Sequence, residues 1–207
     1  YFCRMKKSYL VLVILFLVLL IDQASKIWVK THMEYGEQFA IFGLSWANIH
    51  FVENEGMAFG MKLGGDYGKL ALSLFRIVAV GFLAYLIINM IKERKSDFVL
   101  VCFTLILAGA LGNIIDSAFY GMIFTETPYH SGGVATMFPP GGGYAPFLHG
   151  KVVDMLYFPL TEGEFPSWVP FVGGDHFLFF RPVFNIADTA ITTGVLLLLL
   201  FRRQIFH

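Results

Sequence analysis

The sequence predicts an all-α integral membrane protein, a single membrane domain over residues 1–207 with four transmembrane helices. Three observations point there: an excess of apolar residues, four apolar runs near spanning length, and basic residues gathered at one end of those runs. Hydrophobic residues make up 57% of the 207 and charged residues 14%, with a mean hydropathy of +0.67. A soluble domain is about 45–50% apolar and about 25% charged. A core of this size cannot hide the difference, so the surplus faces lipid. The 15 basic and 15 acidic residues cancel, which removes any footprint for nucleic acid. Two cysteines give no disulfide framework, and Cys102, inside an apolar run, reads as a small buried hydrophobe. Met5 is a plausible start, so Tyr1, Phe2, Cys3 and Arg4 are set aside.

A span needs about 20 mostly apolar residues at about 1.5 Å each. Residues of about 9–28, 70–91, 98–120 and 184–201 meet or approach that length. Lys6 and Lys7 before the first run resemble a signal-peptide start, but no small-residue cleavage site follows, so the run is expected to stay as a helix. Lys6 and Lys7, then Lys92, Arg94 and Lys95, then Arg202 and Arg203 all fall on one side. The positive-inside rule assigns that side to the cytoplasm. Both termini are then inside, and the long connections of about 29–69 and 121–183 are outside.

Acidic residues recur near the outer end of the runs. Asp22 lies about 22 Å along a helix from Lys7, Asp116 about 28 Å from Asp97, and Asp188 about 21 Å from Arg202. Carboxylates at that depth are costly unless they face a bundle interior or water, so each is a functional candidate. Asn113 and Asp116 are three apart, as are Asn185 and Asp188, and each pair is expected to share a helix face. Gly109, one turn below Asn113, leaves room for close backbone approach. Asp22 and Lys26, four apart, can pair on their own helix and read as architecture. Asp188 has no basic residue at helical spacing and reads as functional. Asp154 sits in the apolar stretch 150–158, a short strand or a surface-lying segment, and the stretch 49–54 reads the same way. Alone, Asp154 would be a solvated loop acid.

Five segments in order carry a resemblance: Asp22-Gln23-Ala24-Ser25-Lys26, Asn54-Glu55-Gly56-Met57-Ala58-Phe59-Gly60, Gly112-Asn113-Ile114-Ile115-Asp116, Val152-Val153-Asp154 and Phe184-Asn185-Ile186-Ala187-Asp188. With four spans and both ends inside, the chain resembles the bacterial lipoprotein signal peptidase (signal peptidase II) family. The resemblance implies an aspartic endopeptidase of the bacterial inner membrane, its site near the outer (periplasmic) face. Such enzymes remove the signal peptide from prolipoproteins just before a cysteine carrying a diacylglyceryl group. Carried over by motif, the catalytic pair falls on Asp154 and Asp188, and substrate-binding polar residues on Asn54, Asn113 and Asn185, with Gly109 nearby. Asp22, Lys26 and Asp116 are supporting residues. The fold it implies is a four-helix bundle with a small extracytoplasmic β-cradle formed mainly by the first outer loop. Partners are the diacylglyceryl-modified precursor and membrane lipid, with a monomer expected and no cofactor or metal.

Two departures stand out. The family usually has arginine after the Gly-Asn-x-x-Asp aspartate, where this chain has Ser117; Arg181 is one candidate to supply a basic partner. The stretch from Asp116 to Asp154 is also longer than usual, and that from Asp154 to Asp188 moderately so. The glycines, prolines and aromatics there indicate turns, and part of 121–183 is expected to cover the site.

Two adjacent carboxylates cannot both ionise cheaply, so they share a proton. The ionised one can activate water while the protonated one bonds the scissile carbonyl. Zinc and serine protease motifs are missing from the sequence, and its six histidines show no metal-ligand spacing. The rival from another class is a small transporter or proton pathway, since intramembrane acids also mark those. The acids cluster at one end and form no relay across the bilayer, which disfavours it; a non-enzymatic assembly factor is a third alternative.

Overall fold

A computed structural model describes residues 6–54, 65–159, 161–164, 166–168, 174, 176–179 and 182–201. Helix α1 (Lys7–His32) leads into a hairpin of β1 (Gln38–Ala40) and β2 (Asn48–Asn54). Helices α2 (Gly65–Lys92) and α3 (Asp97–Ile115) follow. A π-helical turn (Asp116–Tyr120) and the short α4 (Gly121–Ile123) prolong α3. After a long irregular segment come β3 (Val152–Tyr157), β4 (Thr161–Glu164), β5 (His176–Phe179), β6 (Val183–Phe184) and α5 (Ile186–Leu200).

Three helical stretches, Lys7–His32, Gly68–Lys92 and Asp97–Ile123, are long and apolar enough to cross a membrane. The fourth expected span is a helix of 15 residues, about 22 Å long, because Phe184 belongs to β6 and Asn185 is the cap of α5. Near the start of α1, Lys7 ion-pairs with Asp97, so the α2–α3 turn lies at the same end as the chain start. Arg202, Arg203 and Arg181 lie outside the described residues, as do Cys3 and the 55–60 part of the second motif.

Helix α3 packs most extensively on α5 because glycines line the crossing. A Cβ on Gly109 would strike the Ala187 carbonyl oxygen and lie 2.7 Å from Ile191 Cγ1. A Cβ on Gly112 would lie 2.6 Å from Asp22 Oδ2, so α1 is drawn into the same crossing. Lower in the bundle, Val11, Ile87, Leu100 and Leu107 form an apolar cluster.

At the opposite end sits a four-stranded antiparallel sheet in the order β1-β2-β3-β6. The cradle was expected mainly from the first connection; that connection supplies β1 and β2, but β3 and β6 come from the second. The difference arises because Asp154 lies in a strand long enough to pair with β2, Val52 opposite Asp154 and Asn54 opposite Val152. Successive strand residues point to opposite faces. Val153 and Met155 enter a core with Phe51, Val29, Met33 and Phe124, and Asp154 points the other way.

The segment 121–150, expected as part of a cover, is tied to the end of α3. Gly150 N donates to Ser117 O at 2.8 Å, Ala145 N to Gly121 O at 2.9 Å and Tyr144 N to Phe124 O at 3.1 Å. Beneath it the buried Lys30 ion-pairs with Glu53 of β2 and donates to Thr127 Oγ1 at 2.9 Å. Its ammonium also stands 5.4 Å from the Phe124 ring centre and 5.3 Å from that of Tyr144.

Candidate active site

Helix α1 brings Asp22, Lys26 and Lys30 to the interior at four-residue intervals. A fully buried ammonium needs all its protons bonded and its charge matched. Lys26 Nζ donates to Asp116 Oδ2 at 2.7 Å, Asp22 Oδ2 at 2.9 Å and Asn113 Oδ1 at 3.0 Å. The pairing of Asp22 with Lys26 expected from their spacing is present. Asp116 thus has its basic partner on α1, which neither Ser117 nor Arg181 could indicate.

Gln23 completes this cluster and escaped the sequence reading, since its signal is only the polar residue beside Asp22. Its Nε2 donates to Asp116 Oδ1 at 2.9 Å, and its Oε1 accepts from the Tyr120 hydroxyl at 3.1 Å. Asp22 Oδ1 in turn accepts the Ala187 amide at 2.8 Å, which fixes α1 against the first turn of α5. Asp116 Oδ2 lies 3.4 Å from the Val153 amide, one residue before Asp154.

Asn185 and Asp188 do not share a helix face as expected; they form a capping box, with Asn185 the N-cap of α5. Asn185 Oδ1 accepts the Asp188 amide at 2.9 Å, and Asp188 Oδ2 faces the Asn185 amide at 3.4 Å. An Asn that begins a helix leaves its amide nitrogen free to reach outward, and Asn185 Nδ2 donates to Asp154 Oδ1 at 2.7 Å. It also lies 3.1 Å from Asn113 Oδ1 and 3.2 Å from Val153 O. Asn113 Nδ2 donates to Asp188 Oδ1 at 2.8 Å. Asn54, across the ladder, donates to the second oxygen of Asp154. The three asparagines and two aspartates, from β2, α3, β3 and the start of α5, therefore meet in one hydrogen-bonded set. Gly109 lies at the α3–α5 crossing below it.

Asp154 is 3% exposed, and burial pushes its carboxyl up to about 8. The charge of Asp188 adds to that rise, while Lys26 and the Asn185 bond oppose it. Near neutrality Asp154 therefore carries a proton, as an acid facing a second carboxylate should. The set links two carboxyls through amide hydrogen bonds, and one of the two carries a proton near neutrality.

The family model for signal peptidase (SPase) II matches residues 14–203. The chain belongs to the signal peptidase II family. It is 52% identical over 197 residues to a lipoprotein signal peptidase of Porphyromonas gingivalis, covering 95% of this chain and 84% of that protein. It is 39% identical over 190 residues to one from Amoebophilus asiaticus, covering 90% and 75% of the two chains. One from Staphylococcus carnosus is 30% identical over 200 residues, covering 95% and 93%. Two solved bacterial membrane enzymes share the fold. One gives a TM-score of 0.57 at 25% identity over 92% of this chain and 90% of that one. The other gives 0.55 at 22% over 94% and 87%.

Proposed function

We propose that this signal peptidase II removes the signal peptide from diacylglyceryl-modified prolipoproteins, cutting before the lipidated cysteine with Asp154 and Asp188 as its catalytic pair. What supports this most is one side chain, Asn185, which caps the helix carrying Asp188 and hydrogen-bonds Asp154. The pair needs no covalent intermediate: one carboxylate takes a proton from the attacking water while the other carboxyl gives its proton to the carbonyl oxygen, and the departing amine then takes the proton that came from the water. Asn54, Asn113 and Asn185 hold substrate backbone, and Gly109 serves binding through the close α3–α5 approach. Asp22, Lys26 and Asp116 support the frame.

The protein is one membrane domain over residues 1–207 with four spans, α5 being the fourth, and acts as a monomer. Its termini are cytoplasmic and its site lies near the outer face of the bacterial inner membrane. Single cysteines at 94 and 141, probed on intact cells with an impermeant thiol reagent, test the orientation: residue 141 should label and residue 94 should not. For the activity, the purified protein is incubated with a diacylglyceryl-modified precursor and its unmodified twin. Cleavage of the modified one alone is expected; equal cleavage of both would leave a membrane protease of another specificity.

A further inference from the structure

Charge around the pair is unevenly met. Four carboxylates, Asp22, Asp116, Asp154 and Asp188, converge on the junction of α1, α3, β3 and α5. Lys26 spends its three protons on Asp22, Asp116 and Asn113. It acts on Asp154 only through space.

A second cation comes from α2. Arg76 is half-buried, whereas its neighbours Leu74, Phe75, Ile77 and Val78 are exposed, so this helix turns one narrow face inward. Ser73, three residues earlier and on the same face, is buried and donates to Leu148 O at 3.2 Å. Leu148 N in turn donates to Ala118 O at 3.3 Å, so this face of α2 docks beside Ser117. Arg76 is 16 residues before Lys92, about 24 Å up the helix, at the level of the acids. Among the described residues, the acids near enough to act on its charge are Asp188 of α5, Asp116 of the π-helical turn and Asp154 of β3, and Lys26 of α1 is paired with Asp116.

We propose that Arg76 is the positioning residue that keeps the negative charge of the catalytic pair on Asp188 and the proton on Asp154. This rests on the peptidase function proposed above and deepens it. An adjacent cation favours the ionised form of a carboxylate, and Asp188 is half-buried where Asp154 is buried, so the charge falls on Asp188. Asp188 then accepts the proton of the attacking water as the water oxygen bonds to the scissile carbon, and Asp154 gives its proton to the carbonyl oxygen. On collapse the C–N bond breaks, the amine takes the proton held by Asp188, and Asp154 recovers its own from the diol. Arg76 thereby supplies a second cation beside the acids, from a helix other than that of Lys26.

The test measures pH–rate profiles on the diacylglyceryl-modified precursor for the unaltered protein, Arg76→Gln, Arg76→Lys and the double variant Arg76→Gln with Ser117→Arg. Removing a positive charge makes a carboxylate harder to ionise, so the acidic limb should move to higher pH. For Arg76→Gln it should rise by about one unit, with kcat down about 10- to 100-fold and KM little changed. Arg76→Lys should keep the limb in place, and the double variant should bring it back. A folded Arg76→Gln protein with an unmoved limb would overturn the proposal. So would loss of folding in both Arg76→Gln and the double variant, since Arg76 would then be a folding residue. If the unaltered protein does not cut the precursor, the peptidase function itself fails instead.

Discussion

Two polar clusters lie side by side in this protein and are built in opposite ways. In one, Lys26 sits between Asp22 and Asp116 with every proton bonded, so one buried cation ties two carboxylates inside the bundle. In the other, Asp154 and Asp188 meet neutral amides from Asn54, Asn113 and Asn185. Ion pairs hold the first cluster, and neutral amides hold the second. The contrast sets the two clusters apart more sharply than burial does, since Asp154, Asp116 and Asp22 are all buried.

The largest expected effect is on the amide-held pair. Asp154→Asn and Asp154→Asn with Asp188→Asn should each lower the rate of precursor cleavage by orders of magnitude. The double variant should be little worse than the single, because members of one catalytic unit do not add. Rates that multiply in the double variant would show two independent groups and break the comparison. On the ion-paired side, Lys26→Met strips two buried carboxylates of their counter-charge. Breaking a buried ion pair costs about 3–5 kcal/mol. Thermal unfolding in detergent should fall accordingly, whereas Asp116→Asn, which keeps the shape and one bond to Gln23, should cost less.

Much of this division was legible in the sequence. Spacing alone paired Asp22 with Lys26, and hydropathy placed Asp116 and Asp188 near one depth. The resemblance then joined Asp154 to Asp188. Other parts were hidden for physical reasons. Asn54 and Asp154 are 100 residues apart and meet only through the β2–β3 ladder. The three-residue interval of Asn185 and Asp188 fits a helix face and a capping box equally well. Gln23, Lys30 and Arg76 carry no local signal, because their partners come from distant elements. The sheet's dependence on the second connection was obscured by a β6 of only two residues.

Smaller effects sharpen the picture. Gly109→Ala should push α3 from α5, where the Ala187 carbonyl leaves no room for a methyl, and cost about 1–3 kcal/mol in an unfolding titration. A further effect concerns pH and stability. Burial raises the Asp154 carboxyl to about 8, so between its ordinary value and that pH the folded chain holds a proton that the unfolded chain has lost. Its contribution to stability is therefore fully present at low pH and lost as pH rises through that window. Asp154→Asn, which does not titrate, should unfold at a higher temperature than the unaltered protein at pH 7, and the gap should close towards pH 4. An unchanged gap across that range would mean that Asp154 is not the group burdened by burial.

The proposed chemistry stands most directly on Asp188. Purified Asp188→Asn protein, shown to be folded by its thermal transition, is incubated with the diacylglyceryl-modified precursor and the products are weighed by mass spectrometry. Intact precursor is expected, beside a control in which the unaltered protein releases the signal peptide just before the lipidated cysteine. Substantial release by the folded Asp188→Asn protein would contradict it.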